Sequence, residues 1–90
     1  MTISQRKRVR YARREAMRLR QRALIAQAMA RRLDLTLSQR EVGDDCGMGQ
    51  SAISDLEGIV FDLQTERTVT LDTFMAYADS LGLELRLEIK

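Results

Sequence analysis

Residues 37–58 read LSQREVGDDCGMGQSAISDLEG. The stretch predicts two short helices joined by a tight glycine turn. Ser38 stands three residues before Glu41, the S-x-x-E spacing of a capping box, so a helix should start at Gln39. Gly47 can adopt a positive φ, which ends that helix and turns the chain. A second helix should follow from about Gln50 to Glu57. Val42 and Cys46 on the first helix, and Ile53 and Leu56 on the second, recur at inward spacings of three or four. Met48 is placed to fill the gap between them. Gly43 lies inside the first helix, where glycine costs roughly 1 kcal/mol against alanine; close helix–helix approach is the expected reason.

Outward from this motif the composition sets bounds. Ninety residues, 44% of them apolar, allow one small domain with a modest core. There is no Trp and no Pro. The single Cys, Cys46, excludes an internal disulfide and suits a reducing cytoplasm; it is expected to pack as a small apolar residue. With no His in the chain, no His-based metal site or acid–base catalysis is expected, and neither cofactor nor enzyme activity. No apolar run approaches the roughly 20 residues of a membrane span. The N-terminus is basic and lacks the apolar core of a signal peptide.

The net charge of +2 hides a strong asymmetry. Residues 1–32 carry eleven Lys or Arg against Glu15 alone, a net +10, whereas residues 33–90 carry four against twelve acids, a net −8. So basic a block points to nucleic acid or another polyanion; the alternative is a solvated face, or attraction to the acidic half of a neighbouring subunit.

Residues 5–33 contain neither Gly nor Pro and predict one long helix, about 40 Å at 1.5 Å per residue. Val9, Ala12, Ala16, Leu19, Ala23, Ala26, Ala30 and Leu33 repeat at three and four, which is either a coiled-coil seam or the alanine usage of a good helix. The second reading has only the part after about Leu19 packing on the core, with the first fifteen residues frayed until a partner neutralises their arginines. Residues 1–18 thus read as a basic arm, 19–82 as the domain. Residues 59–70 (IVFDLQTERTVT) predict a short helix or an ordered loop. Thr70 should cap a last helix in which Phe74, Ala78 and Leu81 face the core and which Gly82 ends. After Gly82 the period changes to two: Leu83, Leu85, Leu87 and Ile89 alternate with charged residues, predicting a strand over 83–90. A lone strand leaves its backbone unsatisfied. It should pair with the same strand of a second subunit, or else with 67–70.

The motif resembles the helix-turn-helix of the Xre/lambda-repressor-like (Cro/C1-type) family of bacterial and phage regulators. The matching elements are Leu37-Ser38-Gln39, Gly47, Ile53-Ser54 and Leu56-Glu57-Gly58; the likeness resumes at 71–83 (LDTFMAYADSLGL) and spans about residues 20–83. It implies an all-α, lambda-repressor-like bundle of about five helices, here with the long basic N-terminal helix and the short C-terminal strand. It also implies base contact by Gln50, Ser51 and Asp55, with Ala52 against a thymine methyl and Ser54 close to backbone or base. Asp55 departs from the neutral or basic residues of the family; an exposed or Arg-paired acid is its alternative role. Gln39 matches a phosphate contact and Arg40 is a second candidate. Glu57 matches a position that pairs with an arginine of the first helix, here Arg32. The remaining phosphate contacts fall to Arg6, Lys7, Arg8, Arg10, Arg13, Arg14, Arg18, Arg20 and Arg22. The expected function is a sequence-specific, cytoplasmic, homodimeric DNA-binding regulator, most simply a repressor (in the host cytoplasm if phage-encoded). Alternatives are the antitoxin of a toxin–antitoxin pair, a protein-interaction module docking a polymerase or other protein through the acidic half, and RNA binding by the arginine-rich helix.

Overall fold

The computed structural model describes residues 1–86 and is all-helical over them. Its helices are α1 (Ile3–Asp34), α2 (Gln39–Cys46), α3 (Gln50–Gly58) and α4 (Leu71–Ser80). None of these is long and apolar enough to cross a membrane.

The α2–α3 unit follows from its capping chemistry. Ser38 Oγ accepts from Glu41 N at 3.0 Å, and Glu41 Oε1 accepts from Ser38 N at 3.0 Å, which satisfies two of the free donors at the start of α2. Gly47 closes α2 in the left-handed region at φ 75°. The Gly43 carbonyl then accepts from the N–H of Gly47 and, at 3.0 and 3.1 Å, from those of Met48 and Gly49. The turn is therefore folded onto Gly43 itself. A Cβ there would meet the carbonyl carbon and oxygen of Gly49 at 2.5 Å, both backbone atoms with no room to yield.

The core gathers one apolar stripe from each helix. Ile25 and Ala28 come from α1, Val42 from α2, Ile53 and Leu56 from α3, Tyr77 from α4, with Ile59 and Leu81 from the segments that follow α3 and α4. Leu37, Cys46, Met48, Val69, Phe74 and Leu83 close its edges.

On α1 the packed stripe is not the alanine seam. It runs Arg18, Gln21, Ile25, Ala28, Arg32, while Val9, Ala12, Ala16, Leu19, Ala23, Ala30 and Leu33 are exposed and only Ala26 of that series is half-buried. Continued towards the N-terminus, the packed stripe becomes Arg14, Tyr11 and Lys7, all exposed. The face that binds the bundle at one end of α1 is thus polar and cationic at the other, so α1 outruns the bundle; the molecule measures 50 × 29 × 21 Å. The helix begins at Ile3, earlier than its composition suggests, because Thr2 and Gln5 form a capping box of their own.

Two expectations differ from the structure. There are four helices rather than about five among the described residues. Residues 59–70 form turns and irregular chain because local side-chain bonds compete with helix there. Asp62 Oδ1 accepts from Gln64 N and Thr65 Oγ1 from Arg67 N. Gln21 then clasps the segment from α1, donating to the Arg67 carbonyl at 3.0 Å and accepting from Val69 N at 2.8 Å. The second difference is at the C-terminal end, where residues 83–86 belong to no strand. Gly82, at φ 70°, ends α4 with paired bonds from Gly82 N to Asp79 O and from Leu83 N to Ala78 O. That turn lays Leu83 on the core and leaves Leu85 half-buried at its edge, so both apolar side chains find partial cover within the chain. Leu87 and Ile89 of the expected strand lie outside the described residues.

Gly43→Ala tests the close approach. Helix propensity favours alanine by roughly 1 kcal/mol, yet the clash with Gly49 should make the variant less stable by about 2 kcal/mol, read as a lowered urea midpoint at unchanged slope.

Candidate nucleic-acid interface

Helix α3 has two faces of opposite character. Ile53, Leu56 and Glu57 point inwards and are buried. Gln50, Ser51, Ser54 and Asp55 are exposed, and Ala52 is half-buried at their edge. The exposed arc is short-chained and polar, and the residues expected to contact bases are brought together on it. Gly49 caps α3 at φ 80° without a side-chain bond, so the first-turn N–H groups rely on solvent or a ligand. Asp55 forms no ion pair among the described residues.

The inner face is held by an ionic cluster at the far end of α3. Arg32 of α1 makes a forked pair with Glu57, Nε to Oε2 at 2.7 Å and Nη2 to Oε1 at 2.8 Å. Its Nη1 donates to the Leu37 carbonyl at 2.8 Å. The Tyr77 hydroxyl of α4 donates to Glu57 Oε2, and Gln39 Nε2 of α2 donates to Oε1 at 3.0 Å. Burial pushes the Glu57 carboxyl up, but donation by Arg32, Tyr77 and Gln39, with the charge of Arg32, outweighs it and holds the group below the usual 4.5. Burial, and then the Glu57 carboxylate it serves, push the Tyr77 hydroxyl far up, so it stays protonated.

Gln39 is therefore a core ligand as much as a surface group: its amide nitrogen is committed to Glu57. Arg40 beside it is exposed. Tyr77 is the member that motif reading missed. It lies three residues after Phe74 and four before Leu81, on the inward stripe of α4, and a buried tyrosine needs an acceptor for its hydroxyl; that requirement was the only signal of its role.

The basic residues divide into two groups. Arg6, Lys7, Arg8, Arg10, Arg13, Arg14 and Arg20 are exposed along α1. Arg18 is held by Glu15 at 2.8 Å and Glu66 at 3.6 Å, and Arg22 donates to the Asp62 carbonyl at 3.3 Å, which ties both to the 59–70 segment. From Ile3 to Arg14 there are six cations and no acid. The first turn of α1 also lacks an acidic side chain, so the positive end of the helix dipole adds to the same field.

In comparisons with known proteins the chain matches no family model, no curated protein and no solved structure.

The Glu57 cluster sets a pH dependence. A carboxyl whose folded pKa lies below its unfolded value stabilises the fold fully above about 4.3 and loses that contribution as pH falls through the folded value. Stability should be level from pH 7 to 5 and decline below pH 4, and Glu57→Gln should flatten part of that decline while lowering stability at pH 7. Glu41, lowered by its bonds to Ser38, supplies a further part with the same sign. Arg32→Ala leaves Glu57 buried without its cation and should cost about 3–5 kcal/mol; Tyr77→Phe should cost about 1–3 kcal/mol. Urea denaturation at a series of pH values measures all three.

Proposed function

We propose that the protein is a sequence-specific DNA-binding regulator of the helix-turn-helix type, acting as a homodimer by occluding or organising a control site. The observation that carries this reading is the outward face of α3. A helix reads bases by pushing side chains of its first turns against their edges in the major groove. Here those positions hold Gln50, able to pair with adenine N6 and N7, and Ser51, able to donate or accept. Ala52 is small enough to sit against a thymine methyl, and Asp55 can accept from cytosine N4. The glycine-capped start of α3 leaves its amide groups free to approach a phosphate. Ser54 lies on the same face, and Arg40 is exposed in the first turn of α2. The exposed cations of α1 supply the charge that the acidic remainder lacks. The function places the protein in the cytoplasm, with the DNA.

The net charge of −8 over residues 33–90 favours a second reading, in which the same bundle docks a basic protein surface and α1 alone meets nucleic acid. Binding of the chain to duplexes of the control region adjoining its own gene and to scrambled duplexes separates the two, when run across a salt series. In the first reading Gln50→Ala with Ser51→Ala removes the preference for one duplex, costing about 1–3 kcal/mol of discrimination for each base no longer read, while the salt slope is kept. Arg8→Ala with Arg14→Ala weakens binding to every duplex and reduces the slope by about two, close to one for each phosphate no longer neutralised. Equal binding to all duplexes, unchanged by substitution at Gln50 and Ser51, would refute base reading by α3.

A further inference from the structure

An open groove of about 340 Å³ lies between α1 and α4, lined by Met17, Leu24, Val69, Leu71, Phe74 and Leu85. Leu85 also borders an adjoining depression of about 400 Å³, formed with Met75, Asp79 and Glu84. Large apolar side chains stand in the open here: Met17 is 68% exposed, Leu71 50% and Met75 49%. Patches of this kind mark interaction surfaces.

The two rims of the surface carry opposite charge. On α1, Met17 and Leu24 share one stripe of three- and four-residue spacing with Arg6, Arg10, Arg13 and Arg20. All four arginines are exposed, and none has an ion-pair partner among the described residues. On the opposite rim are Asp79 and Glu84, with Glu84 in an exposed pair with Arg86 at 3.3 Å.

We infer that a second copy of this chain docks on this surface about a two-fold axis, groove to groove. Each copy's arginine stripe then lies along the acidic rim of the other. The interface so named rests on the homodimeric reading above and deepens it. A surface with a basic edge and an acidic edge is self-complementary under two-fold rotation, because each edge meets its opposite twice. The few exposed apolar groups fall short of the about 800 Å² per partner that a stable interface buries. The length of α1 beyond the bundle supplies the remainder, reaching past Met17 by about 21 Å at 1.5 Å per residue. Lys7, Arg8 and Arg14 lie on other faces of α1 and stay free to meet DNA phosphates.

The full-length chain should sediment as a dimer at tens of micromolar, and dissociate as salt is raised. Met17→Glu with Leu71→Glu places charge in the groove at exposed helical positions; it should raise the dimer dissociation constant about tenfold or more with an unchanged helical spectrum. Arg13→Glu with Arg20→Glu should weaken the dimer, and so should Asp79→Arg with Glu84→Arg. The chain carrying all four substitutions should dimerise again, which a loss of folding would not produce. A chain that is monomeric at these concentrations, or a dimer indifferent to both the groove and the rim substitutions, overturns the inference. The DNA assay is read separately. A monomer that still prefers one duplex removes the interface and the homodimeric part of the proposed function, and leaves base reading by α3 standing. A groove-dependent dimer that binds all duplexes equally does the reverse.

Discussion

A carboxylate keeps its charge inside a small core only where donors surround it, and Glu57 is met from every other helix: Arg32 from α1, Gln39 from α2 and Tyr77 from α4. Removing two charges from water is costly, and the forked pair offsets that cost because its geometry is close and the remaining lone pairs are used. The consequence is one of position more than of strength. Apolar packing tolerates small rotations of a helix; a forked ion pair with two further donors does not. With the far end of α3 fixed in this way and its near end folded onto the Gly43 carbonyl, the outward arc of Gln50, Ser51, Ser54 and Asp55 has one orientation relative to the bundle. Gln39 ties the first turn of α2 into this cluster, since its amide is committed to Glu57.

Charge segregation is the second organising constraint. Twelve of thirteen acids lie after residue 32 and eleven of fifteen cations before residue 33. Among the described residues the two populations meet sparingly: Arg32 with Glu57, and Arg18 with Glu66. The rest of the positive charge is carried out along a helix longer than the bundle beneath it. Cations crowded near the N-terminal end of a helix work against its dipole, so the arrangement opposes the stability of α1. The exposed cations of α1 differ by face. The stripe beside Met17 looks onto an apolar groove, and the faces of Lys7, Arg8 and Arg14 do not.

The parts of this structure that were legible in the sequence are those whose cause is local. The Ser38–Glu41 capping box, the turn at Gly47, the glycine inside α2 and the end of α4 at Gly82 each follow from residues within a few positions of one another. The inward residues of α2 and α3 follow from spacing. What spacing could not decide was which of two equally regular stripes on α1 faces the bundle. The alanine seam looked the more hydrophobic, but the packed stripe includes Gln21 and Arg32, whose partners at Val69 and Glu57 are 48 and 25 positions away. A polar residue that is buried for a distant partner is invisible to a hydrophobic period. The same cause hid the Gln21 clasp on 67–69 and the role of Tyr77. The fate of Leu83 and Leu85 was hidden for a related reason, since an alternating apolar run fits a strand and an own-core cover equally well until the core is known.

Gln21 and Arg18 mark where α1 changes purpose. On the Arg32 side of Gln21 the stripe is Ile25 and Ala28, and it supports the core. On the other side it is Arg14, Tyr11 and Lys7, and nothing among the described residues covers it. Between the two, Gln21 and Arg18 hold the 59–70 segment by hydrogen bonds and an ion pair instead of apolar contact. That segment joins α3, which carries the polar arc, to α4, which carries one wall of the groove. A ligand that bends or shifts α1 would thus act first on polar bonds that exchange readily with water, and only then on the apolar core. The bundle can in this way keep its packing while the long helix shifts against it.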